Sequence, residues 1–413
     1  MGIIMHVDVN SAYLSWEAVD RLQHGATVDL RDIPSVVGGN EESRHGIVLA
    51  KSMLAKKYGI QTGETLFAAR QKCPTIVTVP PRYELYMRCS KALQALLGEY
   101  SDAVQVFSVD ECFLDYTHTA RLKGDPVAVA DEIRDRCRRE LGFTVNVGIS
   151  TCKLLAKMGG DLKKPDRTLT LYPEEIPAKL WPLPIEELYM CGPRTVPKLR
   201  QMGIQTIGDL AGTDPSILRY RLKSHGQVLW NYANGIEASP VQPSGPVVKG
   251  VGNSTTTARN VEDYEHADLI LLSLAESVGS RLRAGGFCAR LVAVSVRNTD
   301  FINASRQRKL SYATDNTTAL YKEARELFRE LWDGKPLRHL GIRTSELSPA
   351  EGLQYSLFDP EVTRKQALDK TVDGLRERFG KYSVQRGVFL HSGIRPVTGG
   401  VGDDDYQMMS SML

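Results

Sequence analysis

Three carboxylates carry the most specific chemistry in this 413-residue sequence. Asp110 and Glu111 are adjacent and follow the apolar run 104–107, while Asp8 follows a second apolar run at residues 3–7. Two strand-like segments, about a hundred residues apart, therefore each end in acid. Three carboxylates brought to one point need counter-charge, which a divalent metal supplies, and hard oxygen ligands suit Mg²⁺. The pattern indicates nucleotidyl transfer by two Mg²⁺ ions held between these acids.

A solvated hairpin is the plain alternative for the acidic pair. Neighbouring side chains on a straight strand point to opposite faces, so Asp110 and Glu111 can share a metal only at a turn or twist. A hairpin tip provides that geometry, but it also suits acids that are merely solvated. Asp8 is harder to explain in that way, because a charge at the end of a buried strand is only half exposed and needs a partner.

The composition is that of a multidomain globular protein. At 413 residues the chain is too long for one ordinary core, and we expect about three or four domains. The net charge is only +3, so any nucleic-acid surface must arise from local clustering of basic residues. The seven cysteines form no CxxC pair, which argues against zinc and disulfides and favours a reducing cytosol. No apolar stretch approaches the length of a membrane span, so we expect a cytoplasmic protein without a membrane partner.

The order of predicted elements indicates an α+β fold with a mixed or antiparallel sheet. Apolar periodicity predicts strands at 3–9, 104–109, 112–115, 144–150 and 291–297, and helices at 84–100, 125–141, 153–158, 267–282 and 317–331. A last helix is predicted from the apolar face formed by Leu368, Val372, Leu375 and Phe379. The segment from Pro240 to Pro246 contains three prolines and is the best domain boundary.

Four motifs in chain order resemble those of the Y-family translesion DNA polymerases. They are VDVNSAY at 7–13, SVDECFLD at 108–115, GISTCKLLAK at 148–157 and the Lys-Pro pair at 164–165. The resemblance spans about residues 1–395 and implies a right-hand polymerase, an α+β multidomain fold. The implied domains are a palm (1–10 and 78–170), small fingers (11–77), a helical thumb with a helix-hairpin-helix (171–236), a linker (237–246), a little finger (247–346) and a C-terminal segment (347–413).

The resemblance also implies the activity and its site. We expect error-prone, template-directed DNA synthesis past damaged bases by a monomer that acts on primer-template DNA and dNTP with two Mg²⁺ ions. By position, Asp8, Asp110 and Glu111 would be the catalytic metal ligands, and the main-chain carbonyl of Val9 an additional ligand. Tyr13, five residues after Asp8, would be the aromatic steric gate that blocks a ribose 2′-hydroxyl.

Basic residues are expected at the triphosphate. Lys164 matches a family lysine that contacts it, and Lys56 occupies the place of a fingers arginine. Lys56 keeps the charge but loses the bidentate fork of arginine. Met53 stands where the family has a tyrosine, so the fingers contacts depart from the family pattern. The sequence has no P-loop or kinase-type glycine loop.

Two further segments are expected to hold DNA. Residues 199–210 predict a helix, a turn at Gly203 and a second helix capped by Thr206 and Asp209, which resembles a helix-hairpin-helix. Backbone N–H groups at such a helix N-terminus would hold a phosphate. Basic residues in strand-like context would lie along the DNA backbone without reading sequence. They are Arg297, Arg306 and Arg308.

A peptide near the C-terminus suggests a protein partner. Gln354, Leu357 and Phe358 lie in a polar stretch and resemble the bacterial sliding-clamp peptide Q-x-x-L-F. An extended segment of this kind places two apolar anchors in a groove while the glutamine fixes its register. We therefore expect the sliding clamp (β subunit) as a partner and a nucleoid-associated protein in the cytoplasm.

Two other interpretations remain open from the sequence. A DNA- and clamp-docking factor with a decayed polymerase site would share most of these features, and the altered fingers residue Met53 weakly favours it. A palm-type nucleotidyl cyclase would share the metal carboxylates but should lack the thumb hairpin and the clamp peptide.

Overall fold

The computed structural model describes residues 2–42, 44–243, 248–351 and 362–394. These residues form two compact units, one made of 2–38 and 48–243, and the other of the loop 39–47 with 248–351 and 362–394. The chain passes from the first unit to the second at the end of the proline-rich segment 240–246. Within the described ranges, no helix is long and apolar enough to cross a bilayer.

The first unit combines short strands with many helices. Its strands are β1 (Ile4–Val9), β2 (Ser35–Gly38), β3 (Val48–Lys51), β4 (Val77–Val79), β5 (Val104–Val106), β6 (Glu111–Asp115), β7 (Val145–Ser150) and β8 (Thr168–Thr170). Its helices are α1 (Ala12–Gln23), α2 (Met53–Lys57), α3 (Leu66–Lys72), α4 (Tyr83–Gly98), α5 (Ala120–Lys123), α6 (Pro126–Arg136), α7 (Lys153–Asp161), α8 (Ile176–Lys179), α9 (Val196–Gln201), α10 (Ile207–Gly212), α11 (Pro215–Leu222) and α12 (Ser224–Ala233).

A five-stranded sheet places β1 at its centre. The strand order is β5-β6-β1-β7-β8, and β1 pairs antiparallel with both β6 and β7. Met5, Val7 and Val9 of β1 enter the main apolar core together with side chains of α1, α4 and α6. His6 and Asp8 alternate with them and therefore face the other side of the sheet, where α7 packs. Strand β1 thus contributes apolar side chains to the core on one face of the sheet and polar side chains on the other face.

Two smaller groups complete the first unit. The sheet β3-β2-β4 packs with α2 and α3 around its own small core. Helices α8 to α12 bury a third apolar cluster, which includes side chains of α7. Helix α1 packs with the five-stranded sheet, and β4 pairs with β2 in the smaller sheet. The limits of the expected domains stay predictions.

The predicted elements of the first unit are confirmed with shifted ends. The strand expected at 104–109 ends at Val106, because residues 107–110 form the turn into β6. The helix expected at 125–141 begins with Asp125, whose carboxylate accepts a hydrogen bond from Ala128 N, and it continues as a π-helical turn over Cys137–Leu141.

The second unit is a four-stranded antiparallel sheet covered by helices on one face. Its strands are β9 (Gly250–Val261), β10 (Phe287–Asn298), β11 (Asn303–Thr314) and β12 (Leu337–Pro349), and its helices are α13 (Tyr264–Ala284), α14 (Thr317–Leu331) and α15 (Val362–Phe379). The strand order is β11-β10-β12-β9. Val292, Val294 and Val296 of β10 pack beneath α13 and α14 in one core, so the alternate residues of β10 line the other face.

Helix α15 packs on the second unit through its charged face. Asp373 accepts hydrogen bonds at 2.5 and 3.1 Å from Arg283 of α13, and Arg376 donates at 3.1 Å to Glu276 of α13. The apolar face that predicts the helix points outward instead. Its exposed members are Leu368 and Phe379, each 63% exposed, and Leu375, 39% exposed. The periodicity therefore predicts the helix correctly but not the face that it buries.

Candidate active site

Asp8 and Glu111 lie directly opposite each other on adjacent strands. In the antiparallel register of β1 and β6, Asp8 pairs with Glu111, and on its other side Asp8 pairs with Asn146 of β7. Directly opposed residues in such a ladder have their side chains on the same face, a few ångströms apart. Two of the three carboxylates that the sequence singles out are thus brought together by strand register alone.

Asp110 joins them from the turn between β5 and β6. Its main-chain carbonyl accepts a hydrogen bond from Val9 N at 3.0 Å, which ties the turn to the end of β1. Burial raises the pKa of Asp110 to about 6; a hydrogen bond from the Ser108 hydroxyl opposes that rise, and the charges of Asp8 and Glu111 add to it. The predicted turn at the acidic pair is present, and it allows consecutive acids to approach one point.

Glu111 is held by two side chains from the face that α7 covers. Its Oε2 lies 2.6 Å from Lys157 Nζ and 3.2 Å from His6 Nε2. Burial would raise the pKa of Glu111, but the hydrogen bonds and charges of His6 and Lys157 outweigh it and hold the pKa at about 2. This carboxylate therefore stays ionised at any physiological pH.

A glycine allows α7 to lie close enough for this contact. A Cβ at Gly148 of β7 would lie only 1.9 Å from the Ala156 carbonyl oxygen of α7, so no larger residue fits. The close approach brings Lys157, the next residue along the helix, over the polar face of the sheet. The motif GISTCKLLAK thus contains the end of β7, the glycine that lets α7 approach the sheet, and Lys157, which contacts Glu111.

Lys164 contacts Asp8 from the loop that follows α7. Its ammonium group forms ion pairs with Asp8 and, at 2.8 Å, with Asp161. Asn146 fixes this loop, because its Nδ2 donates to the carbonyls of Gly160 at 2.9 Å and Lys163 at 2.8 Å. Burial and the charge of Lys164 act oppositely on Asp8, and the net effect raises the pKa of Asp8.

The donor set fits a hard divalent cation. In the part of the chain that the structure describes, no three His, Cys, Asp or Glu side chains are grouped as ligands of one ion. Each acid is turned to its own partner instead: Asp8 to Lys164, Asp110 to Ser108, and Glu111 to Lys157 and His6. Even so, the three carboxylates lie near enough for their charges to affect one another, and burial raises the pKa of Asp8 and Asp110. Carboxylate oxygens in such a site are the ligands that Mg²⁺ prefers.

Comparisons with known proteins agree with this geometry. The impB/mucB/samB family model matches residues 7–161, and the model of that family's C-terminal domain matches residues 248–357. A DNA polymerase IV of Clostridium acetobutylicum is 45% identical over 94% of this chain and 98% of its own length. A DNA polymerase IV 2 of Bacillus subtilis is 37% identical over 94% of this chain and 94% of its own.

A solved structure shows the same fold. A chimeric Y-family DNA polymerase aligns with 83% of this chain and 98% of its own, with a TM-score of 0.72 at 22% identity. The chain belongs to the Y-family of DNA polymerases. It is a translesion-type, DNA-directed DNA polymerase, and the predicted right-hand fold is confirmed.

Tyr13 of this polymerase is the second residue of α1. Only Asn10 and Ser11 separate β1 from the helix, and Ser11 makes the sharp turn with a φ of 50°. The Tyr13 ring is half-buried, and it packs against Trp16, Tyr83 and Tyr86. The predicted gate residue is therefore placed near the end of the strand that carries Asp8.

Lys56 lies exposed in the last turn of α2, with Met53 exposed at the start of that helix. Burial lowers the pKa of Lys51, and the positive charge of Lys56 lowers it further. The two lysines are therefore near enough to repel each other. A bound polyanion would relieve that repulsion.

The predicted thumb hairpin is present, but its backbone donors are already used. Thr206 and Asp209 form the expected capping box, with Asp209 accepting from Gln205 N and Thr206 N at 2.9 Å each. Gly203 N donates to the Arg200 carbonyl at 3.0 Å within the turn. The N–H groups of 207 and 208 donate to main-chain carbonyls at 183 and 181. Among the described residues, this turn therefore offers few free backbone donors, and the phosphate contact at Gly203 stays a prediction.

The arginines of the second unit divide between the two faces of its sheet. Arg306 and Arg308 pair with Val294 and Val292 in the register of β11 and β10, so they share the helix-covered face. Arg308 donates at 2.6 Å to Glu323 of α14 and also pairs with other glutamates of that helix. This placement does not favour the predicted DNA contact by Arg306 and Arg308.

The open face of the same sheet carries a different set. Arg297 of β10 lies opposite His339 of β12, and Arg343 of β12 lies opposite Ala293. Lys309 of β11 shares that face but pairs with Glu346 at 2.7 Å, and several of the neighbours on the face are small. These small neighbours are Gly252, Ser254, Ala293, Ser295, Ser305 and Gly341. Of the three predicted arginines, Arg297 alone lies on this open surface, and the sequence reasoning missed Arg343 as its partner.

Other functional residues also escaped the sequence reasoning. His6 and Asn146 were not singled out, although their positions beside Asp8 on β1 and β7 could have suggested them through the two-residue strand period. Lys157 lies inside a quoted motif but had no role assigned. The clamp-like residues Gln354, Leu357 and Phe358 lie outside the described residues.

Proposed function

We propose that this polymerase extends a primer by two-metal nucleotidyl transfer. The observation that carries the proposal is the strand register that sets Asp8 against Glu111, with Asp110 hydrogen-bonded through its carbonyl to the end of β1. Asp8, Asp110, Glu111 and the main-chain carbonyl of Val9 would hold the two Mg²⁺ ions. When bound there, Mg²⁺ lowers the pKa of the primer 3′-hydroxyl and neutralises charge that develops on the α-phosphate.

The residues around the acids would bind and orient the nucleotide. Lys164 already lies beside Asp8, so its charge would meet the triphosphate of a nucleotide bound to the same metals. Lys56, near Lys51, would contribute a second cation from α2. Tyr13 would reject a ribose 2′-hydroxyl by steric clash. His6 and Lys157 would keep Glu111 ionised and oriented.

The open sheet face of the second unit supports a path for the DNA backbone. Arg297 and Arg343 place positive charge on a surface with several small residues, where phosphates can approach closely, and Lys309 lies beside them in an ion pair with Glu346. Such contacts add affinity without reading sequence, which suits synthesis on damaged templates. Arg306 and Arg308 would contribute only to the overall positive charge of the unit and would not contact the DNA backbone directly.

Clamp tethering completes the proposal. Gln354, Leu357 and Phe358 match the pattern of a clamp-binding peptide, and tethering would raise the local concentration of a weakly gripping, error-prone enzyme. We infer a monomer that works at the nucleoid with the sliding clamp. Deleting residues 354–358 should leave bare activity intact and abolish stimulation by the clamp in primer extension.

Primer extension in Mg²⁺ tests the core of the proposal. The wild type should extend a primer across a template abasic site, and the double variant Asp110→Ala, Glu111→Ala should not. Asp115→Ala is the matched control, because Asp115 lies at the far end of β6 and its carboxylate accepts a hydrogen bond from Thr117 N. Equal extension by the wild type and the double variant would show that the acids do not carry the chemistry.

A further inference from the structure

Tyr13 stacks face to face on Tyr86 of α4. The two ring centroids are 4.3 Å apart and the ring planes differ by 10°. Trp16 and Tyr83 contact the same pair at the edges, with Tyr83 perpendicular to both tyrosine rings. Tyr86 is 1% exposed, whereas Tyr13 is only half-buried. Tyr13 is thus the accessible member of an aromatic stack whose inner member is Tyr86.

Tyr86 is itself fixed at its hydroxyl end. Its hydroxyl donates at 2.9 Å to Glu17 Oε1, and Glu17 is fully buried in α1. Arg82 of the adjoining turn donates to both oxygens of the same carboxylate, at 2.6 to 3.0 Å. Arg21 lies 3.6 Å from Glu17 as a second cationic neighbour. The buried Glu17 carboxylate is thus held by two arginines, and it anchors the Tyr86 ring at its hydroxyl end.

A gate that works by steric clash depends on what lies behind it. A ring backed by empty or soft surroundings would shift and accept the extra hydroxyl, because a small displacement removes most of a van der Waals clash. A ring seated on a close-packed, anchored neighbour has no such freedom, since protein interiors resist compression. The free-energy cost of admitting a ribose 2′-hydroxyl therefore depends partly on the residue against which the gate ring packs.

We propose that Tyr86, held by Glu17 and Arg82, is a positioning residue for sugar discrimination: it stops Tyr13 from retreating before a ribonucleotide. The inference rests on the proposed role of Tyr13 as the gate, and it adds a residue from a different helix, α4, that does not itself contact the nucleotide. It assigns the motif RYELY at 82–86 a part in substrate selection.

The test compares incorporation of dCTP and CTP opposite template dG by the full-length polymerase. The discrimination ratio, kcat/KM for dCTP divided by kcat/KM for CTP, is the readout. Tyr86→Leu should lower this ratio about tenfold, the upper end of what a stacked aromatic pair contributes. Tyr86→Met keeps much of the side-chain volume in a flexible chain and should lower the ratio similarly. It serves as a second variant in case Tyr86→Leu folds poorly. Tyr86→Phe keeps the stack and should lower it about threefold at most.

Tyr116→Leu is the matched control, because Tyr116 is an equally buried tyrosine next to β6, and its hydroxyl donates to the Gly124 carbonyl. It should leave the ratio unchanged. A merely structural role of Tyr86 would reduce incorporation of dCTP and CTP equally, and that result overturns the inference. So does an equal fall of the ratio in Tyr116→Leu.

Tyr13→Ala separates this inference from the proposed gate. If Tyr13→Ala lowers the ratio and neither Tyr86→Leu nor Tyr86→Met does, the gate stands and the positioning role is wrong. If Tyr13→Ala leaves the ratio unchanged, the gate itself is wrong and the inference falls with it. In the double variant Tyr13→Ala, Tyr86→Leu, the second substitution should add nothing, because there is no ring left to position.

Discussion

Asp8 and Glu111 face each other across adjacent antiparallel strands, although 102 positions separate them in the sequence. Asp8 is paired with Lys164, and Glu111 with Lys157 and His6, so each acid has its own cationic or hydrogen-bonding neighbour. Asp110 has only the Ser108 hydroxyl as a side-chain partner among the described contacts. The three acids of one site therefore differ in how readily they ionise.

Removing the charge of Asp110 should stabilise the metal-free protein. Burial raises the folded-state pKa of Asp110 from its ordinary 3.8 to about 6. The stability that its neutral form contributes is therefore present below about pH 4 and is lost as pH rises through about 6. Asp110→Asn stays neutral, so it should exceed the wild type by up to about 3 kcal/mol at pH 7.5. Thermal unfolding in EDTA between pH 4 and 7.5 measures the difference.

Two observations check that interpretation. The advantage of Asp110→Asn should be much smaller at pH 4, where the folded-state carboxyl is protonated and the unfolded-state carboxyl, with its ordinary pKa of 3.8, is about half protonated. Adding Mg²⁺ at pH 7.5 should raise the melting temperature of the wild type more than that of the variant, because only the wild type keeps all the proposed ligands. An advantage that is independent of pH would mean that the charge of Asp110 is not its source.

Lys157 and Lys153 form a natural matched pair, one turn apart on α7, and their substitution should have opposite effects. Lys157 lies 2.6 Å from Glu111, so Lys157→Met leaves a buried carboxylate with only His6 beside it. The variant should lose about 3 kcal/mol at pH 7. Lys153 is 2% exposed, donates to the Gln105 amide oxygen at 3.3 Å and lies over the Phe113 ring. Burial lowers its pKa, and the more distant charge of Glu237 opposes that shift. Lys153→Met should be neutral or stabilising, because no described acid loses a hydrogen-bonded partner.

The pH dependence distinguishes the two lysines further. The lowered pKa of Glu111, about 2, contributes stability that is present above about pH 4.5 and is lost as pH falls toward 2. The deficit of Lys157→Met should therefore shrink below pH 4.5, whereas Lys153→Met should show no such trend. Similar losses in both variants at pH 7 would contradict the special role of Lys157.

The positions of the three proposed metal ligands could be predicted because the signals that place them are local. The apolar run 3–7 leads to Asp8 near the end of β1, and the apolar run 104–107 leads into the turn that carries Asp110. The partners of Glu111 required the fold, because Lys157 reaches it from a helix that crosses the sheet at Gly148. The thumb hairpin shows the opposite case. Its capping box was predictable from Thr206 and Asp209, but distant carbonyls, which no sequence pattern reveals, consume its other donors.

The sequence reasoning did not assign Arg306 and Arg308 to a face of the sheet. In a strand, residues two apart share a face, so 306 and 308 must lie together, and 309 opposite to them. Strand β11 is largely polar, but its Leu310 is in phase with 306 and 308 and packs against the helix-side core. The register with Val292 and Val294 of β10 agrees with that phase.

This division of faces predicts how DNA affinity depends on salt. Arg297→Ala with Arg343→Ala removes two charges from the open face, and Arg306→Ala with Arg308→Ala removes two from the helix side. The open-face pair should weaken primer-template binding and reduce the slope of log K against log salt by about 0.9 per lost phosphate contact. The helix-side pair should leave the slope nearly unchanged. Because both variants change net charge equally, long-range electrostatics cancels in the comparison. Equal slopes would refute the assignment of faces.

Helix α15 should depend on its charged residues and tolerate changes to its apolar ones. Arg283 of α13 is nearly buried and binds both Asp369 and Asp373 of α15. Arg283→Met removes the shared counter-charge, and breaking a buried pair in this way costs about 3 kcal/mol. Leu368 is 63% exposed, so Leu368→Gln should change stability by less than about 0.5 kcal/mol. Hydrogen exchange over residues 364–379 should accelerate more than about tenfold in Arg283→Met and remain unchanged in Leu368→Gln. The reverse order would mean that α15 buries its apolar face after all.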